Sequence, residues 1–310
     1  MKAIALHRFG GPEVLTLEEL PDPPVGPDSL LVAVSAAGVN PVDWKLREGY
    51  LTSRFPHHTP VIPGWDVSGV VTAIGPAVTG FAVGDEVFAY ARKDSVGFGT
   101  YAELVTVLDR TAAHKPAALS FAQAAALPLA GLTALQALEA VGVGKGDRVL
   151  IHAAAGGVGH LAVQIARALG ADEIIGTASP RNHDFVRALG ATPVGYGPDL
   201  VAEVGALVGE DGRVDAVLDT VGGTALEQSA ALVRDPARHV SIIDPRQVHA
   251  QGGRYVFVRP DGAGLARLAD LAEAGALTVE VAREFPLAEA ADAHRLIQDG
   301  HVCGKLVLSL

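Results

Sequence analysis

Three glycines in the stretch VLIHAAAGGVGHLAVQIARALGA, residues 149–171, carry the clearest chemistry in the chain. A short apolar strand, expected over 148–152, runs directly into Gly156, Gly157 and Gly159, and an amphipathic helix expected over 158–169 follows at once. Without a Cβ, Gly156 and Gly157 let backbone N–H groups approach a diphosphate, and Gly159 lets the helix sit close to the strand. The helix start at Val158 offers unpaired donors and the positive end of a dipole. The spacing is A-x-x-G-x-x-G, with Ala153 where a dinucleotide fingerprint usually opens on glycine. The plain alternative is a tight strand–helix turn with no ligand. An NAD site carries an Asp or Glu about 20 residues after the loop, at the tip of the second strand. Here that strand, expected over 173–178, ends in Gly176, Thr177, Ala178 and Ser179, then Pro180 and Arg181, while Asp172 and Glu173 lie at its other end. A hydroxyl at Ser179 and a guanidinium at Arg181 suit a phosphate, so the residues predict NADP(H). The alternative for Arg181 is a solvated residue at a helix start.

Such a loop needs a parallel sheet behind it. From about residue 119 short apolar runs alternate with helical ones: strands over 148–152, 173–178, 214–219 and 239–243, and helices over 158–169, 182–189, 199–208 and 225–231. Strands that lack polar alternation belong to a sheet buried on both faces, and the series predicts a doubly wound α/β sheet. A single long helix is expected over 121–138, ahead of that sheet. Residues 1–118 read instead as short strands bounded by Gly, Pro and Asp, and suit a small barrel-like sheet. The tail adds strands over 254–258, 277–285 and 304–308 and helices over 265–274 and 287–298.

The 310 residues can bury a sizeable core and fit two domains. A formal charge of −11 argues against a nucleic-acid or anionic-membrane partner, and the lone Cys303 excludes a disulfide framework or a Cys-cluster zinc site. No apolar stretch reaches the length of a membrane span, and the first residues lack a signal-peptide core, so the expected location is cytoplasmic. The histidines are scattered with no partnering Ser or Cys motif, so no hydrolase triad is expected; His152 reads as a buried hydrogen-bonding residue.

With the loop in place, nearly the whole chain resembles the medium-chain dehydrogenase/reductase superfamily, and within it the zinc-free quinone oxidoreductase branch. The matching pieces are residues 36–49 (AAGVNPVDWKLREG), 61–87, 99–107, 125–138, 214–223 and 300–308, in the family's order. The resemblance implies a split, mostly β, GroES-like catalytic domain of residues 1–118 plus 276–310, with an NADP-binding Rossmann domain of 119–275 inserted, and a cleft between them. It also implies a homodimer; the β-rich run 254–258 is the expected pairing edge.

The zinc alcohol dehydrogenases of this superfamily hold their metal with two Cys and a His. The corresponding places here look like Asn40, Trp65 and Leu129, so no metal is expected. Without a Lewis acid a simple ketone is hard to polarise. Hydride addition to a quinone or to the β-carbon of an enone is easier, because the developing charge is conjugated through the acceptor. The resemblance therefore implies an NADPH-dependent, zinc-independent reductase of quinones or α,β-unsaturated carbonyls. It points to Asn40 as an amide donor or a turn residue, and to Trp44 and Tyr50 as pocket walls or core. Asp43 reads as a helix cap and Asp66 as structural. Thr133, Tyr196, Val221, Ile242 and Lys305 become candidate cofactor contacts beside Gly156, Gly157, Val158, Gly159, Ser179 and Arg181; Lys305 has a surface position as its alternative. A non-catalytic NADPH-binding module of the same fold is the rival expectation.

Overall fold

A computed structural model describes residues 1–209 and 211–310 of the chain. Contacts divide them into two compact units, one of residues 1–129, 260–275 and 279–310, the other of residues 130–259 and 276–278. Residues 119–129 and 260–275 thus lie with the mostly β unit, not with the sheet unit to which the sequence reading assigned them.

In the second unit six strands pair in parallel, in the spatial order Thr192–Val194, Glu173–Thr177, Arg148–Ile151, Ala216–Asp219, His239–Ser241, Arg254–Tyr255. Counted along the chain this order is 3-2-1-4-5-6, and the direction of winding reverses between Arg148–Ile151 and Ala216–Asp219. Leu150 sits in register with Ile175 on one side and Val217 on the other. All three are fully buried, in one cluster with Val204, Val208 and Leu232, as a sheet covered on both faces requires. The helix Gly159–Ala168 follows Arg148–Ile151 across a turn of residues 152–158.

The first unit is built on the eleven-residue strand Ser29–Val39. Its late residues pair antiparallel with Lys305–Ser309, its early ones with Leu104–Leu108, and Asp66–Ile74 runs along it from Gly38 to Leu30. The sheet continues through Glu86–Tyr90 to Ala112–His114, and on the other flank to Val281–Pro286. Among the described residues this seven-stranded sheet follows an open path, so the barrel-like expectation becomes an open sheet. His57–Ile62 and Val96–Phe98 form a separate parallel pair.

Two expected elements differ for local reasons. The single helix over 121–138 is two, Phe121–Ala126 and Pro128–Ala140, because Pro128 has no N–H and its ring would meet the carbonyl of Ala124. The run 254–258 pairs only at Arg254–Tyr255, after which the Val256 amide bonds Ser241 O. Among the described residues no helix is long and apolar enough to cross a membrane.

Candidate functional site

Parallel pairing sends the carboxyl ends of the six strands to one edge of the sheet, and the candidate cofactor residues of this unit follow those ends. Gly156, Gly157, Val158 and Gly159 follow the first strand, Ser179 and Arg181 the second, Tyr196 the third, Val221 the fourth and Ile242 the fifth. This is where open α/β sheets bind ligands, at the point of reversal. Ser179 and Ile242 are half-buried; Arg181, Tyr196 and Val221 are exposed. Thr133 is buried in the helix Pro128–Ala140, ahead of the first strand.

The glycine turn is tightly constrained. The Gly156 amide donates to Ala153 O at 2.8 Å, whereas among the described residues the amides of Gly157 and Val158 donate to no backbone carbonyl. A Cβ on Gly159 would overlap the Ala153 carbonyl, so only glycine lets the helix start this close to the turn. Ala153 itself has φ +47°, a left-handed conformation that costs a side-chain-bearing residue roughly 1–2 kcal/mol. Its amide is held at 2.9 Å by Thr177 Oγ1, and the Ala154 amide at 2.9 Å by Thr177 O. Each such bond contributes about 1 kcal/mol, enough together to offset the strain. On the other flank Asp219 accepts the amides of Val221 and Gly222 on Oδ1 and the Ser241 hydroxyl on Oδ2, which fixes the turn after the fourth strand. Two unengaged amides at a helix start, and no carboxylate at the second strand's tip, fit a dinucleotide carrying an extra phosphate.

His152 follows the strand Arg148–Ile151 and is buried. Its Nε2 meets Ser229 Oγ at 2.7 Å. Burial holds its pKa down to about 4, with Asp219 opposing the shift and His239 adding to it, so the ring is neutral near pH 7.

The first unit gathers its polar groups differently. Asn40, 1% exposed, follows the long strand and precedes the helix Pro41–Arg47. Its Nδ2 donates to Asp66 Oδ2 at 2.9 Å, its Oδ1 accepts from Lys305 Nζ, and its backbone N–H donates to Asp43 Oδ2 at 2.8 Å. Asp66 Oδ1 also takes the Leu129 amide at 2.8 Å, and Lys305 Nζ donates to Val39 O at 3.2 Å. Tyr101 donates to Asp43, and His294 and Arg47 continue the chain of contacts beyond it. Gly64 makes this possible: its φ of +89° and the closeness of Tyr101 leave no room for a side chain just before Trp65 and Asp66.

Burial pushes Asp43 up to about 7 and Asp66 up to about 6, and pulls Lys305 below the usual lysine range. Asp43 caps its helix Pro41–Arg47, as expected, and Lys305 is buried rather than at the surface. Trp44 is half-buried and meets Tyr50, 64% exposed, edge-on at 6.2 Å between ring centres.

These residues do not fit a metal. Asn40 offers an amide oxygen already taken by an ammonium, and a second cation beside Lys305 would be repelled. Trp65, packed edge-on between Phe55 and Tyr90, and Leu129 offer no donor. Among the described residues no group of three His, Cys, Asp or Glu is placed to hold a metal ion.

Sequence reasoning missed Thr177, Ser229, Tyr101 and His294. For His294 a signal existed: with Ala290, Ala293 and Ile297 it keeps the helical spacing of a buried face on Ala290–Asp299.

Comparison with known proteins agrees with this geometry. Residues 26–117 match the alcohol dehydrogenase GroES-like domain family, and residues 169–308 the family described as zinc-binding dehydrogenase. The chain belongs to the medium-chain dehydrogenase/reductase superfamily. Within it the chain falls in the quinone oxidoreductase-like branch. It is 33% identical over 317 residues to an NADPH-dependent alkenal/one oxidoreductase of Arabidopsis thaliana, covering 99% of this chain and 79% of that protein. Among solved structures it resembles a quinone oxidoreductase from Coxiella burnetii, with a TM-score of 0.87 and 38% identity over 100% of this chain and 99% of that one. It also resembles an NAD-dependent alcohol dehydrogenase, with a TM-score of 0.89 and 34% identity over the full length of both.

Proposed function

We propose that the chain is an NADPH-dependent oxidoreductase that reduces a quinone or an α,β-unsaturated carbonyl without a metal. The observation that carries this is the glycine turn at the sheet's point of reversal, with its Gly157 and Val158 amides unengaged and no acidic residue at the second strand's tip. Those amides and the start of Gly159–Ala168 hold the diphosphate. Ser179 and Arg181 meet the 2′-phosphate, and Tyr196, Val221, Ile242 and Thr133 line the rest of the dinucleotide. When bound, NADPH supplies a hydride; the acceptor takes a proton as well. Trp44 and Tyr50 wall the acceptor and exclude water, and the Tyr50 hydroxyl offers the developing oxyanion a hydrogen bond. Asn40, engaged at both ends of its amide, acts as a positioning residue, as does Lys305.

The donor set supports zinc-independence, since Lys305 already places a positive charge at Asn40. Two copies pair through the exposed edge at Arg254–Tyr255, and a monomeric mass by light scattering at micromolar protein removes that part of the reading. The experiment for the whole is the loss of reduced-nicotinamide absorbance with small panels of quinones and enones, run with NADPH and with NADH. Turnover with NADPH preferred is expected. Binding without turnover of any acceptor makes the chain a non-catalytic NADPH module; turnover of secondary alcohols with NAD overturns the reading.

A further inference from the structure

We propose that Thr177 and His152 are positioning residues for the diphosphate loop, which together hold Ala153 in its left-handed turn and so aim the Gly157 and Val158 amides. The proposal rests on the NADPH reading above. Ala153 is one of two non-glycine residues with positive φ among those described. An alanine has no polar side chain with which to support that conformation itself, as Asn or Asp does. Its neighbours must therefore supply the support.

The contacts also fix where the protons lie. Ser229 Oγ–H donates to Ala225 O at 2.7 Å, so its lone pair accepts from His152 Nε2–H at 2.7 Å. That leaves His152 Nδ1 without a proton, facing Thr177 Oγ1 at 3.4 Å. The Thr177 hydroxyl hydrogen turns to this nitrogen, and its lone pair faces the Ala153 N–H at 2.9 Å. The backbone carbonyl of Thr177 takes the next amide, Ala154, and Thr220 Oγ1 donates to His152 O at 2.8 Å. Hydroxyls at the carboxyl ends of the strands on either side thus grip the two residues at which the loop begins. The hydroxyl at the second strand's tip is turned toward the loop, so the 2′ end of the dinucleotide is left to Ser179 and Arg181 beyond it.

The test compares the full-length wild type with Thr177→Val, Thr177→Ser and the double variant Thr177→Val/Ala153→Gly. NADPH affinity is measured by calorimetry and fold stability by urea unfolding. Thr177→Val weakens NADPH about tenfold, and Thr177→Ser, which keeps the hydroxyl, stays near wild type. Ala153→Gly added to Thr177→Val restores most of the affinity, because glycine takes a positive φ without support. A Thr177 that merely stabilised the sheet would show no such rescue. Affinity within about twofold of wild type in Thr177→Val, or no recovery in the double variant, overturns the proposal. Should Thr177→Val fail to fold, Ser229→Ala removes only the acceptor that orients the imidazole: weakened NADPH binding there upholds the proposal and unchanged binding overturns it. A wild type that binds no NADPH sinks the functional reading itself, in an arm separate from the variants.

Discussion

Both units bury a polar network behind a turn, but they do so with different chemistry. In the mostly β unit the network is charged: two carboxylates, Asp43 and Asp66, share one ammonium, Lys305, through Asn40. In the sheet unit the groups that grip the start of the glycine turn are neutral, a hydroxyl of Thr177, a hydroxyl of Ser229 and the neutral imidazole of His152, while the carboxylate of Asp219 is taken up by the turn after the fourth strand. Buried charges carry a desolvation cost of several kcal/mol each and hold only while paired. Neutral groups cost less, and what matters there is shape, since the turn has a left-handed alanine and a glycine against which nothing larger fits. The first network should therefore respond to removal of charge and the second to added volume.

The sharpest way to break that contrast is Lys305→Met, which keeps the volume and removes the charge. It strands Asp66 and takes a donor from both Asn40 Oδ1 and Val39 O. The expected loss is about 3 kcal/mol in urea unfolding; a loss below about 1 kcal/mol would show that the carboxylates do not depend on the ammonium. On the other side, Gly159→Ala puts a Cβ into the Ala153 carbonyl, backbone that a side-chain rotation cannot move aside. About 2 kcal/mol of destabilisation is expected, with NADPH binding weakened in step. Tolerance of the alanine would mean that the loop is soft.

Asp43 and His152, one from each network, should also tilt the pH profile in opposite directions. Asp43 has its pKa raised from 3.8 to about 7, so between those values the folded chain holds a proton that the unfolded chain has released. Its stabilising share is present below pH 4 and falls by up to about 1.4 kcal/mol per pH unit as pH rises toward 7. His152 has its pKa lowered from 6.5 to about 4, so across that window the unfolded chain binds the extra proton and stability falls as pH drops. Asp43→Asn should thus steepen acid destabilisation, and His152→Gln should lessen it. Urea titrations at pH 4.5, 5.5 and 6.5, on the order of these pKa values, check both signs. Parallel profiles for the two variants would remove the distinction between the networks.

The two regions also differed in how much the sequence disclosed. The glycine turn is a local pattern, confined to residues 153–159 and flanked by its own strand and helix, so spacing alone revealed it. The charged network was not legible in this way. Lys305 and Asn40 lie 265 positions apart and meet only because Lys305–Ser309 pairs with the end of Ser29–Val39. Asp66 joins them through the register that sets it opposite Gly38. No window of sequence holds those three residues together. Thr177 was overlooked for another reason: the strand tip was searched for a carboxylate, and the hydroxyl that was present faces inward to the loop. The break at Pro128 was readable from the residue itself, since a proline inside a run of alanine and leucine ends a helix as surely as it joins one.

The smallest expected effect tests the rim of the neutral region, where a charge does enter. Arg181 follows the second strand in the short turn Pro180–Asn182 and is exposed, so its pull on a phosphate is screened by solvent. Arg181→Ala is expected to weaken NADPH about fivefold and to leave NADH unchanged, because only NADPH carries the 2′-phosphate. The effect should shrink as salt is raised from low to physiological strength, which a hydrogen bond inside the loop would not do. An equal loss for both coenzymes would place Arg181 on the shared diphosphate. No loss for either would leave Ser179 as the residue that reads the phosphate, and the second strand's tip would then discriminate by the absence of a carboxylate alone.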